Sequence, residues 1–202
     1  MQNKKTVFEK YNNLLNKQKY QEAKILLKEY FKRLNKKDKR IFKIYLLLGW
    51  LYDQWSLSIK EESSRSQYQN KAKVYFKKSI KNEKNKREAL RGIGTVLMHQ
   101  EKISEALKYY RRAHNLKRDF STYNDLGNIY RRLKRDKLAI FYYKKAFSLS
   151  KNKGKSAIPL FNLVVINKRL NNQKDVKKYL KILEKLARKS KFAGLMLDKL
   201  NI

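Results

Sequence analysis

"DLGNIY", residues 125–130, places one glycine, Gly127, between bulky apolar residues, and the chain repeats that arrangement on its N-terminal side. Superimposing Ala139 on Ala106, an offset of 33 residues, brings Gly127 onto Gly94, Tyr123 onto Leu90, Leu126 onto Ile93 and Tyr130 onto Leu97. Further along, Tyr143 falls on Tyr110 and Ala146 on Ala113. One more step back reaches Ala72, with Phe76 and Ser79 below Tyr110 and Ala113, and Leu48, Gly49 and Tyr52 as its first half. Apolar residues recur at three- and four-residue steps, the period of a helix, and no strand-type alternation appears. Two helices per unit, repeated at 33–34 residues, make a stacked helical array.

Composition allows such an array. The chain has 202 residues, 42% of them hydrophobic, enough for a continuous core, and no cysteine. Disulfides, thiolate metal sites and cysteine catalysis are therefore excluded, and a reducing cytoplasm is expected. The start, "MQNKKTVFEKYNN", has no apolar stretch of signal-peptide type. The longest apolar run, "IYLLLGWLY" at 44–52, is far short of the ~20 residues that span a bilayer. Net charge is +35, from 52 Lys and Arg against 17 Asp and Glu. So large an excess repels itself and attracts polyanions: nucleic acid, acidic protein or anionic membrane. The richness in Lys, Asn, Ile and Tyr fits an AT-rich genome, which would also enrich Glu. Compositional bias and selection for a partner both stay open.

At these residues the chain resembles the tetratricopeptide repeat family, whose pattern is W-x2-L-G-x2-Y, then A-x3-F, then A, then P. "DLGNIY" contains the L-G-x2-Y element, and "KYQEA" at 19–23 and "KISEA" at 102–106 match the start of the family's second helix. The resemblance implies an all-α, right-handed superhelical solenoid of antiparallel helix pairs, one array over 1–202. Five repeats are expected at roughly 4–37, 42–85, 87–119, 120–153 and 157–190, then a capping helix at 191–202. Gly94 and Gly127 would let the helices of a pair approach, with Ala106 and Ala139 admitting a bulky ring from the neighbouring repeat. Tyr11 and Val164 stand where the terminal repeats should have the small residue. Lys or Arg replaces the closing proline throughout.

One repeat departs from the spacing. Gly49 to Ala72 is 23 residues, whereas Gly94 to Ala106 and Gly127 to Ala139 are 12. The surplus in 55–70 is about three helical turns. It predicts two longer helices turning near Ser63-Ser64, with a projecting loop as the alternative. Pro159, just after Ser156, is expected in a first helical turn behind an N-cap.

"KYYRRAHNL" at 108–116, with its near-copies "VYFKKSI" and "FYYKKAFSL", has the look of a phosphate-gripping ladder. The resemblance instead makes Phe76, Tyr110 and Tyr143 core rings. Lys77, Lys78, Arg111, Arg112, Lys144 and Lys145 then become a solvated convex face, limited to phosphate contacts without base readout. The family's ligands lie on the concave, first-helix face. There the resemblance places Arg91, Asn124, Asn128 and Asn162 near the middle and Arg131, Arg132, Lys168 and Arg169 toward the helix C-termini. Basic residues at those ends also answer the helix dipole. As a binding groove, the set suits an acidic protein or peptide, with Asn amides bonding an extended main chain. The family's five-residue carboxylate clamp is matched only at Asn128 and Asn162; Asn124, Phe192 and Met196 replace its basic members.

No motif points to catalysis or a cofactor. His99 and His114 match no metal spacing, "GIG" at 92–94 lacks the third glycine and preceding strand of a dinucleotide loop, and Glu61-Glu62 reads as a solvated pair. The reading is a non-enzymatic interaction scaffold with no metal or cofactor. The alternatives are a nucleic-acid- or ribonucleoprotein-associated factor and, further off, a peripheral binder of anionic membrane.

Overall fold

The structure, a computed structural model, describes residues 4–150 and 153–200, with side chains for 7–150 and 156–200. Among these residues there are eleven helices and no strand. The expected capping helix over 191–202 is seen as a helix over Lys191–Asp198, and residues 201–202 lie outside the described part, as do 1–3 and 151–152. Packing divides the chain into two compact units, Met1–Ala113 and His114–Ile202.

Unit 1 holds α1 (Lys4–Asn16), α2 (Tyr20–Lys32), α3 (Arg40–Ser58), α4 (Glu62–Ser79), α5 (Glu83–His99) and most of α6 (Ile103–Leu116). Its packing is a matching of rings to glycines. Phe76 on α4 is fully buried, and a Cβ on Gly49 of α3 or on Gly92 of α5 would come within 2.6 and 2.4 Å of its ring. A Cβ on Gly94 would come within 2.9 Å of Tyr110 on α6. At about 100° per residue, Gly92 and Gly94 face opposite sides of α5. "GIG" is thus two landing sites for rings from the helices before and after it.

The first repeat inverts this pairing. Where the pattern expects a small residue, Tyr11 is buried to 1% exposure and donates its hydroxyl to the carbonyl of Leu47 at 2.8 Å. On α2, four residues past Ala23, the ring position is held by Leu27 instead. The bulk has changed helices, and burial pushes the Tyr11 phenol well above its ordinary range.

Unit 2 contains α7 (Phe120–Arg132), α8 (Asp136–Ser148), α9 (Lys153–Arg169), α10 (Gln173–Ala187) and α11 (Lys191–Asp198). Tyr143 is fully buried, and a Cβ on Gly127 would lie 2.6 Å from two of its ring atoms. Leu160, Leu163, Val164 and Leu183 fill the α9–α10 pair with aliphatic bulk.

Four helix pairs turn in the same way. Gln18, Glu101, Lys134 and Asn171 have φ of 54–56°, the left-handed region. The next amide then bonds back five residues: Lys19 to Leu14, Lys102 to Leu97 and Arg135 to Tyr130 at 2.9 Å, Asn172 to Asn167 at 3.0 Å. This is the Schellman ending, made without glycine. The long pair α3–α4 turns differently, through 59–61, with Ile59 and Glu61 extended. The surplus residues are therefore helical, but the turn comes before Ser63-Ser64. Those serines lie in the first turn of α4, where both hydroxyls bond the Glu61 carboxylate. Arg65 locks the turn by donating to the carbonyls of Ile59 and Lys60. Pro159 also sits elsewhere than expected. Because α9 begins at Lys153, the proline is inside the helix, past the first turn, where its missing N–H leaves a carbonyl one turn back without that donor.

Candidate partner-binding faces

The start of α7 is fixed by a capping box, in which the Asp119 carboxylate accepts from the Thr122 amide and the Thr122 hydroxyl receives the Asp119 amide. From that start Asn124, Asn128 and Arg131 fall at four- and three-residue steps on one face. Tyr143 ties two of them together: Arg131 Nε donates to its hydroxyl at 3.3 Å, and that hydroxyl donates to Asn128 Oδ1 at 2.8 Å. Burial pushes the Tyr143 phenol up to about 12, with Arg131 opposing the shift. Asn128 Oδ1 is thereby occupied, and its NH2 keeps two N–H donors. Asn124 is half-buried, its Oδ1 enclosed without a protein donor.

On α9, Asn162 is buried, while Lys168 and Arg169 are exposed. Arg169 forms an ion pair with Asp136. Arg132 is exposed beside Arg131. The remaining expected residue, Arg91, belongs to unit 1, where it pairs with Glu88 at 2.7 Å. Arg91 and Arg169 thus each have an acid beside them, Arg91 sharing Glu88 with Arg87. Asn124, Asn128, Arg131, Arg132, Asn162 and Lys168 are the other donor side chains of the set in unit 2.

The ladder of the second helices is as expected in its rings and its charges. Phe76, Tyr110 and Tyr143 are buried, and Lys77, Lys78, Arg111, Arg112, Lys144 and Lys145 are exposed. Of the histidines, His99 Nδ1 is 3.1 Å from the buried Asp53 carboxylate. His114 Nδ1 is 3.3 Å from the Thr122 hydroxyl, and burial, then Arg118, holds its pKa below the ordinary value. Among the described residues no three His, Asp or Glu side chains cluster as metal ligands would.

A second face, in unit 1, escaped the sequence reading. Tyr20 stacks on Trp55 (5.8 Å, 19°), Trp55 on Tyr52 (6.2 Å, 14°) and Tyr52 on Tyr75 (5.5 Å, 5°), a strip running from α2 across α3 to α4. Lys24 lies 5.5 Å over Trp55, Lys71 5.0 Å over Tyr68, and Lys78 over both Tyr45 and Tyr75. The Lys24 pKa is lowered by burial, then by Lys28 and Lys71. The signal was in the repeat alignment: Tyr45 and Tyr52 flank Gly49 as Tyr123 and Tyr130 flank Gly127, and Tyr75 follows Ala72 as Tyr142 follows Ala139.

Glycine-on-ring packing, helix pairs and a repeated turn define an all-α helical repeat of tetratricopeptide type. Residues 85–152, spanning α5 to α8, match the family model described as tetratricopeptide repeat, so that segment is tetratricopeptide repeat by sequence as well as by fold. No curated protein matches the chain. Among solved structures, it is similar to BtubC (BKLC) from P. vanneervenii at 16% identity, covering 91% of this chain and 79% of that one, with a TM-score of 0.70. PilW, a widely conserved type IV pilus biogenesis factor, is 17% identical over 98% of both chains, with a TM-score of 0.58. PilF of Pseudomonas aeruginosa is 12% identical over 98% and 96%, with a TM-score of 0.51. Likeness at this identity is likeness of fold. Among the described residues no helix is long and apolar enough to cross a membrane.

Proposed function

We propose that the protein is a non-enzymatic interaction scaffold that holds an acidic protein or peptide segment on the first-helix face of unit 2. The tetratricopeptide fold supports the scaffold role. The Arg131–Tyr143–Asn128 relay carries the finer reading. It fixes the Asn128 amide and the Arg131 guanidinium on one face of α7, while Arg132 and Lys168 add exposed cations at the C-terminal ends of α7 and α9. Donors recognise acceptors, and main-chain carbonyls and carboxylates are the acceptors of an acidic peptide. A cytoplasmic setting is part of the same proposal, resting on the absence of cysteine.

The test compares two double charge reversals in the same unit at about 0.15 M salt, where exposed charges more than ~8 Å apart are largely screened. Arg132→Glu with Lys168→Glu alters the face; Lys144→Glu with Lys145→Glu makes the same charge change on α8. The first pair is expected to weaken a labelled extended Asp-Gly peptide by about tenfold or more, and the second by much less. Equal losses would defeat the reading. If labelled oligothymidylate bound more tightly, lost affinity steeply with salt and responded to both pairs alike, the phosphate-held alternative would replace it.

A further inference from the structure

Two cavities open beside the ring strip of unit 1. One, of about 480 Å³, is lined by Tyr52, Gln67, Asn70, Lys71, Val74, Tyr75 and Lys78. Its neighbour, of about 390 Å³, is lined by Phe31, Lys36, Ile41, Phe42, Tyr45, Lys78 and Lys81. They share Lys78, so they are successive parts of one trough with rings for a floor. Lys71 and Lys78 of α4 line the first cavity, Lys36, Lys78 and Lys81 the second, and Lys24 of α2 sits over Trp55 in the adjoining strip. Neither lining contains an acid, and Val74, at 50% exposure, leaves apolar surface open between lysines.

Rings at these positions are not the signal by themselves. Unit 2 carries Tyr123, Tyr130 and Tyr142 at the same places, with Tyr130 and Tyr142 stacked at 5.2 Å, which is repeat packing. Unit 1 adds Tyr20, Trp55 and Tyr68; lysines sit over rings in both units, Lys145 and Lys178 in unit 2, but in unit 1 Lys71 and Lys78 also line the two cavities. Those seats decide the occupant's class. Ring faces already covered by other rings and by ammonium groups offer no platform for bases, and base stacking is what single-stranded nucleic acid would need beyond phosphate contacts. Apolar cavities rimmed by cations fit apolar side chains flanked by carboxylates. Lys71 and Lys78, seven residues apart on α4, are about 10 Å apart along the axis, the rise between positions i and i+7 of a docked helix.

We infer that this trough, on α2, α3 and α4, is a second docking site, which takes an acidic amphipathic helix with two apolar anchors one in each cavity. It is independent of the unit 2 face.

The probe is a labelled helical peptide of about 16 residues, with leucines at i and i+7 and glutamates around them, about 24 Å long. It is measured by anisotropy on the full chain at about 0.15 M salt, against a scrambled peptide of equal composition. Lys24→Glu, Lys71→Glu and Lys78→Glu together should weaken it at least about tenfold. The same change at the exposed Lys10, Lys17 and Lys108 should leave it within about twofold. Val74→Glu, a single exposed change that spares the fold, should weaken it too. Equal binding of the scrambled peptide, equal loss in both lysine triples, no loss with Val74→Glu, or no binding at all would overturn the site. Tighter binding of oligothymidylate, lost with the trough lysines, would overturn the peptide assignment in favour of nucleic acid. Loss only with the Arg132 and Lys168 reversals would overturn the trough and leave the unit 2 face standing.

Discussion

Gly127 and Gly194 are both helical glycines, yet alanine at the two should move stability in opposite directions. Alanine gains roughly 1 kcal/mol over glycine in a helix interior by propensity alone. At Gly194 no atom lies within 4 Å of the new Cβ, so that gain is kept. At Gly127 the Cβ would meet the Tyr143 ring at 2.6 Å. That ring is fully buried and held through its hydroxyl by Asn128 and Arg131, so it cannot swing aside. Overpacking of this kind costs about 1–3 kcal/mol, which exceeds the propensity gain. Urea unfolding followed by circular dichroism should show Gly194→Ala at a higher midpoint than the parent and Gly127→Ala at a lower one. A Gly127→Ala protein as stable as the parent would mean the ring is not fixed. Gly127 and Gly94 were legible as small-residue sites because the offset of 33 aligns them. The role of Gly92 was not, since its partner, Phe76, comes from the preceding repeat and a register within one unit says nothing of the next.

The four Schellman turns set how each second helix leaves its first, and each places a non-glycine residue at positive φ. That conformation costs an L-residue roughly 1–2 kcal/mol, which glycine does not incur. Lys134→Gly or Glu101→Gly should therefore stabilise by about 1 kcal/mol, and Lys134→Val should destabilise, since a β-branched side chain tolerates positive φ worst. Thermal melts of the three variants decide the matter; a loss on going to glycine would show that the Lys134 side chain contributes more than its backbone costs. These turns explain which boundaries sequence could give. Helix existence followed from the apolar period, but Gln, Glu and Lys are not turn signals, and only Asn171 favours the left-handed region by itself. The α3–α4 turn was misplaced for the same reason. Ser63 and Ser64 look like turn residues but act inside the first turn of α4, bonding the Glu61 side chain just ahead of them.

Across the whole chain the charge was plain from composition, while its placement was not. The family resemblance pointed to the first-helix face of unit 2; the Glu88–Arg91 pair, at i and i+3, could have been read from spacing, whereas Arg169 with Asp136, on another helix and 33 residues away, could not. The trough in unit 1 stayed hidden because its rings come from three helices and its lysines from two. What remains a property of the whole is the +35 balance. Folding draws those charges together from an expanded chain, so their repulsion counts against the compact state more than against the unfolded one. Salt relieves it: the Debye length falls from ~30 Å at 0.01 M to ~10 Å at 0.1 M and ~3 Å at 1 M. Stability in NaCl should therefore rise steeply up to about 0.1 M and then flatten, because beyond that point only neighbouring lysines still feel one another. Surface ion pairs pull the other way, but each is worth at most about 1 kcal/mol and acids are too few for them to dominate. Urea midpoints across the salt series measure the balance. A stability that fell with salt would mean that attraction between the few acids and their cations outweighs the repulsion of the excess, and that the cations are placed to hold the fold rather than to meet a partner.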